Sequence, residues 1–184
     1  ADTLMNMRTL PFFDIEKPYF NAMSSDMTSG GYSTYGVAGD ASISPSSFSA
    51  VYMNKSVLSE AGADVGAIYS SAESGTWTWD EYLTLVESVK SLNESSGKSY
   101  YTTTAENTAS RLSDLVFKSS GNDYISASIR RVPVVGYTLK NTKKTMNNLY
   151  TLYNDENKIV DSSAGAVNIF SKGESAFLID YLYV

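Results

Sequence analysis

Residues 74–92 read SGTWTWDEYLTLVESVKSL, and several local rules agree there on one helix with a marked start. Thr78 is placed to accept from the backbone N–H of Glu81 while the Glu81 carboxylate reaches back to the N–H of Thr78, the reciprocal arrangement of a capping box. Asp80 and Glu81 put negative charge in the first turn, at the positive end of the helix dipole. Trp77, just outside the helix, is spaced to pack on Tyr82 as a hydrophobic staple. Beyond the cap, Tyr82, Leu85, Val86, Val89 and Leu92 recur at helical spacing, with Glu87, Ser88, Lys90 and Ser91 between them, so one face is core and the other is wet. Burying such a face gains roughly 1.5–3 kcal/mol per large side chain before entropy is subtracted, and the helix therefore needs a sheet or another helix beneath it. The two indoles read first as anchors of the helix start and second as ligand contacts.

The rest of the chain narrows the possibilities by what it lacks. Its 184 residues suffice for one full domain, or one with an incomplete second. Fourteen Lys and Arg against twenty Asp and Glu give a net charge of −6, which argues against a phosphate-binding surface and so against nucleic acid as a partner. With no Cys and no His, there is no disulfide frame, no thiolate zinc site and neither the usual general base nor the commonest metal ligand. No metal, no cofactor and no catalytic residue is expected. No apolar run is long enough to span a bilayer, and no charged, apolar leader stands at Ala1. Fourteen Tyr among abundant Ser, Thr and Asn suit an extracellular surface that stacks and hydrogen-bonds.

Taken in order, residues 1–21 are a loop tied down by Phe12, Phe13, Tyr19 and Phe20, because Pro11 and Pro18 break any helix. Residues 24–49 are turns and short extended pieces, with a turn at Gly39 and Asp40. A strand over 48–53 runs straight into a short helix, 55–61, capped by Asn54 and closed by Gly62, which is an α/β signature. Residues 63–74 read as a helical turn and a Ser-rich loop. A strand at 100–104 precedes a helix over 106–120, with Leu112, Leu115 and Val116 inward. A short strand at 132–136 comes next, then a helix over 138–154 with Leu139, Met146, Leu149, Tyr150 and Tyr153 on its buried stripe. A fourth helix, 163–171, leads into residues 176–183, apolar except for Asp180 and therefore a strand buried on both faces. The last residue falls inside that run, so the natural chain is expected to continue.

Four segments in this order resemble the extracellular solute-binding proteins of ABC importers, the group that includes the maltose-binding type. LPFFDIEKPYF (10–20) looks like the aromatic loop before the first lobe crossing, and YMNKSVLSEAG (52–62) like the strand and helix with which the chain enters the second lobe. GTWTWDEYL (75–83) resembles the family's TWdE helix start, and FSKGESAFLI (170–179) its FxxGxxAM strand. The resemblance implies an α/β fold: a three-layer periplasmic-binding-protein-like lobe with helices packed on a mixed sheet. Residues 1–47 would be the end of a first-lobe segment and the crossover, and residues 48–184 the second lobe, left incomplete.

The same resemblance implies capture of a small solute, a carbohydrate, for delivery to an ABC permease in the membrane, with no chemistry done on it. It also implies an extracellular lipoprotein at the surface of a Gram-positive cell, or a periplasmic protein in a Gram-negative one. Tyr183 stands where family members place a sugar-stacking aromatic, with Asp180 and Tyr181 nearby; the alternative for Tyr183 is a core residue of the longer protein. Glu106 and Asn107 fall where polar side chains enter the cleft, or else cap the following helix. Asp40 lies in the crossover, where a short carboxylate can accept from ligand hydroxyls, or is a plain turn residue. A sugar needs this mixture, because its C–H faces pack on rings while its hydroxyls need charged or amide partners. Two other readings stay open. One is a noncatalytic surface module binding a protein through Tyr32, Tyr35 and Trp77; the other is a carbohydrate-active enzyme using two of the twenty acidic residues.

Overall fold

The computed structural model describes residues 4–20, 29–30, 32–40, 48–105, 108–122, 124–127, 133–135, 142–153 and 165–182. The chain divides into two units, Ala1–Ser47 with Asn122–Leu139, and Phe48–Gly121 with Lys140–Val184.

In the first unit, strands β1 (Ser29–Gly30) and β2 (Ser33–Thr34) pair antiparallel. Asn6 holds the preceding chain to them: its side-chain oxygen accepts from Thr34 N–H at 3.0 Å and its amide donates to Ser33 Oγ at 3.2 Å. The aromatic loop is tied as expected through Phe20, whose ring meets Phe13 at 5.1 Å and Tyr19 at 4.8 Å. Phe12 is the exception, with a positive φ of 66° and a fully exposed ring. Phe20 bridges Gly39, and a side chain at Gly39 would meet the Tyr19 carbonyl at 2.5 Å, so the close approach of the two backbones requires glycine. The later part of the unit adds an antiparallel pair, which in chain order is β5 (Ile125–Ala127) and β6 (Pro133–Val135).

The second unit is built on a three-stranded mixed sheet with the order β3-β7-β4. Here β3 is Ser49–Met53, β4 is Tyr101–Ala105 and β7 is Ser175–Tyr181; β3 runs antiparallel to β7 and β4 parallel to it. The near-continuous apolar run becomes the central strand: Ser175 through Asp180 are all buried, as a strand covered on both faces requires.

Helix α1 (Lys55–Glu60) begins at Asn54, whose side chain accepts from the N–H groups of Ser56 and Val57. Residues 63–74 give more structure than their serines suggested, since a nine-residue helix, α2, spans Val65–Glu73 from an Asp64 cap. Its serines are not breakers because their hydroxyls donate back to carbonyls of the same helix, Ser70 to Gly66 and Ser71 to Ile68.

Helix α3 (Trp79–Ser96) has both bonds of its capping box, and Gly97 closes it at φ 70°, a left-handed position that glycine takes without strain. The expected staple forms, Trp77 meeting Tyr82 edge-on with centroids 6.1 Å apart. Tyr82 is 1% exposed, packs on Phe177 of β7 at 4.6 Å and shares a 2.5 Å hydrogen bond with Thr103 of β4; burial pushes its phenol pKa up.

Helix α4 spans Thr108–Ser119 and α5 spans Thr142–Tyr153. The buried stripe of α5 is Thr142, Thr145, Leu149 and Leu152, whereas Met146, Tyr150 and Tyr153 are exposed. The apolar stripe expected from the sequence is corrected: only Leu149 of it is buried among the described residues. Helix α6 (Ala166–Ser171) lies against β4 and β7. One core gathers Val57, Leu58, Tyr82, Val86, Leu112, Val116, Leu149 and Leu152 with Phe177 and Ile179 of the sheet.

Candidate functional site

In open α/β sheets the ligand crevice lies beyond the carboxyl ends of parallel strands. Here those are the ends of β4 and β7, and antiparallel β3 begins at the same edge, because Ser49 pairs with Tyr181 and Ala50 with Asp180. The pairing continues one step outward, Leu182 N–H donating to the Phe48 carbonyl at 3.1 Å, and both of these side chains are about half exposed. This edge therefore presents apolar surface to whatever lies beyond it.

Of the residues expected to bind ligand, Asp180 and Tyr181 meet at this edge on opposite faces of β7. Asp180 is 3% exposed and accepts from the Tyr181 N–H at 2.7 Å; Tyr52 of β3 donates its hydroxyl to the Tyr181 carbonyl at 2.8 Å. The buried carboxylate is thus held in place at the strand end. Asp40 belongs to the first unit, exposed, with its backbone N–H donating to the Tyr19 carbonyl at 3.0 Å. Tyr183, Glu106 and Asn107 lie outside the described residues.

On the Ser49 and Val51 face of the second unit there is a pocket of about 630 Å3 that the sequence reading did not foresee. Trp77 just before α3, and Trp79 and Tyr82 from its start, wall it, with Leu115 and Ser119 from α4 and Asn148 from α5. Trp79 stands edge-on to Tyr82, 5.2 Å between centroids at 72°, and donates its indole N–H to Ser119 Oγ at 2.8 Å. At the mouth, Lys144 Nζ meets the Asp80 carboxylate at 2.6 Å, with both side chains more than half exposed. The two Trp and Asp80 were singled out in the sequence for helix capping, and the fold gives them a second setting. No sequence signal brings Lys144 to Asp80, since 64 positions separate them.

Trp77 Nε1 is buried without a hydrogen-bond partner among the described residues, and an unpaired buried donor costs about 1–3 kcal/mol. Trp77→Phe keeps the ring on Tyr82 and removes that donor, so it should change the unfolding free energy by less than about 1 kcal/mol, whereas Trp77→Ala should cost about 2–3 kcal/mol. Urea denaturation of the two variants checks this; equal losses would show that the indole N–H matters more than the ring.

Among the described residues no group of acidic side chains is arranged to hold a metal ion, and no helix is long and apolar enough to cross a membrane. The pocket and the strand edge offer rings, hydroxyls, an amide and paired charges, a set suited to holding a neutral polar molecule.

The family described as bacterial extracellular solute-binding protein matches residues 28–184, and the chain belongs to that family. Among solved structures, the ABC substrate-binding protein Lmo0181 from Listeria monocytogenes in complex with cycloalternan is similar at 16% identity and a TM-score of 0.49, with 96% of this chain and 42% of that one covered. The chain thus spans less than half the length of that protein. No curated protein matches the sequence.

Proposed function

We propose that this protein is the solute-capturing component of an ABC importer, that its ligand is a carbohydrate, and that it hands the ligand unchanged to a membrane permease. The observation that carries this reading is the family match across residues 28–184. The domain assignment belongs to the same proposal: residues 1–47 are the end of a first lobe with its crossover, and residues 48–184 belong to a second. So does the placement, an extracellular protein held by a lipid anchor on a Gram-positive cell. In this reading Tyr183 stacks on a sugar ring, Tyr181, Asp180, Glu106 and Asn107 serve hydroxyls, and Asp40 is a further candidate acceptor. Closure around ligand follows from tighter binding to the closed form.

A thermal-shift screen of sugars, amino acids and peptides tests this, because a ligand that binds only the folded state raises the melting temperature by mass action. Sugars should give the shift. Tyr183→Ala should weaken the binding so found by more than about 1 kcal/mol. A shift with amino acids or peptides alone would overturn the carbohydrate reading, and an unchanged dissociation constant would remove Tyr183 from the site.

A further inference from the structure

The anchoring role explains Trp77, which is packed edge-on to Tyr82 with its nitrogen buried. It does not explain why an open pocket of about 630 Å3 stands in front of Trp79. That volume lies inside the range of roughly 300–1,000 Å3 common to small-molecule sites. Trp79 is half-buried, and an edge-on neighbour covers at most one face of its indole. Its orientation is pinned, since its N–H donates to Ser119 Oγ, which in turn donates to the Leu115 carbonyl. A fixed, partly open aromatic face is what a ligand with an apolar flat side requires.

The charges decide the kind of ligand. Asp80 and Lys144 are the two ionisable groups of opposite sign on the pocket, and they neutralise each other at 2.6 Å. The pocket therefore offers no net charge to an ion, but it keeps acceptor oxygens on Asp80, donor protons on Lys144 and an amide on Asn148. Hydroxyls, which both donate and accept, match that rim. An indole face beneath a neutral rim of mixed donors and acceptors is complementary to a pyranose, whose C–H faces are apolar and whose edge carries hydroxyls. The pocket also includes Ser49, the residue paired with Tyr181 at the end of β7, so it lies at the edge to which the solute site is assigned.

We infer that this pocket is a saccharide-ring subsite in which one sugar ring lies on Trp79 and its hydroxyls are served by Asp80, Lys144 and Asn148. The inference rests on the carbohydrate reading above and adds a second aromatic platform to it. Both tryptophans of the sequence line the pocket, so tryptophan emission reports on this place while calorimetry reports binding anywhere.

The experiment titrates the protein with maltotriose, cellotriose and xylotriose, following heat and tryptophan emission together, in wild type, Trp79→Ala and Asn148→Ala. A trisaccharide that binds should shift the emission. Trp79→Ala should raise its dissociation constant about tenfold and Asn148→Ala a few-fold. Asn148 is a half-buried surface residue, and its variant keeps the test valid if loss of the Trp79 ring loosens the fold. Heat with unchanged emission and unchanged affinity in both variants overturns the subsite and leaves the carbohydrate reading standing. No heat with any of the three sugars overturns both.

Discussion

Replacing Tyr82 by alanine is expected to cost about 3–5 kcal/mol of unfolding free energy, the range for removing a fully buried aromatic from a core. Tyr82 joins several parts of the second unit: it meets Trp77 and Trp79 at the helix start, Phe177 in the central strand and Thr103 in its neighbour. Tyr82→Phe separates ring from hydroxyl. It keeps the three ring contacts but leaves the Thr103 hydroxyl, in a residue with no solvent exposure, without the phenol, for about 1–2 kcal/mol. Thr103→Val strands the phenol in the same way. Removing both polar partners should recover much of the loss, because a pair replaced by apolar groups leaves neither stranded. Urea denaturation of the four proteins closes a double-mutant cycle. Strictly additive losses would show that the two hydroxyls do not stabilise each other.

Tyr82 also marks what could be read from the sequence. Its helix start was legible because Thr78 and Glu81, which cap it, stand three positions apart. β7 was legible because a strand covered on both faces has little choice but to be apolar throughout. The strand order was not, since nothing local says that residues 175–181 should lie between 49–53 and 101–105. Helix α2 was read only as a helical turn before a Ser-rich loop, although a serine hydroxyl can satisfy itself on the preceding turn.

The site divides the same way. Asp180, offered for the site by the family resemblance, was visible in the sequence as the one charge in an apolar strand. The Trp79 pocket is assembled from segments 64 positions apart, as the Asp80–Lys144 pair illustrates, and no periodicity carries that information.

The second large effect is expected on α5. Leu152→Ala, at a position with no solvent exposure, should cost about 2–5 kcal/mol, whereas Tyr150→Ala, with a side chain 77% exposed, should stay within about 0.5 kcal/mol. The sequence pattern alone predicts the reverse for Tyr150, since a large aromatic at helical spacing ordinarily marks the buried face. In this helix Thr142 and Thr145 share that face with Leu149 and Leu152, and Tyr150 stands in water.

More than stability turns on the comparison. At 100° per residue, the face of Thr145, Leu149 and Leu152 puts Lys144 and Asn148 on its flank, at the pocket. A helix turned to bury Met146, Tyr150 and Tyr153 would carry Lys144 and Asn148 to the far side, away from Asp80 and Trp79. Urea midpoints for Leu152→Ala and Tyr150→Ala therefore test the rotation of α5 and, through it, the polar wall of the pocket. A larger loss from Tyr150→Ala than from Leu152→Ala would remove both.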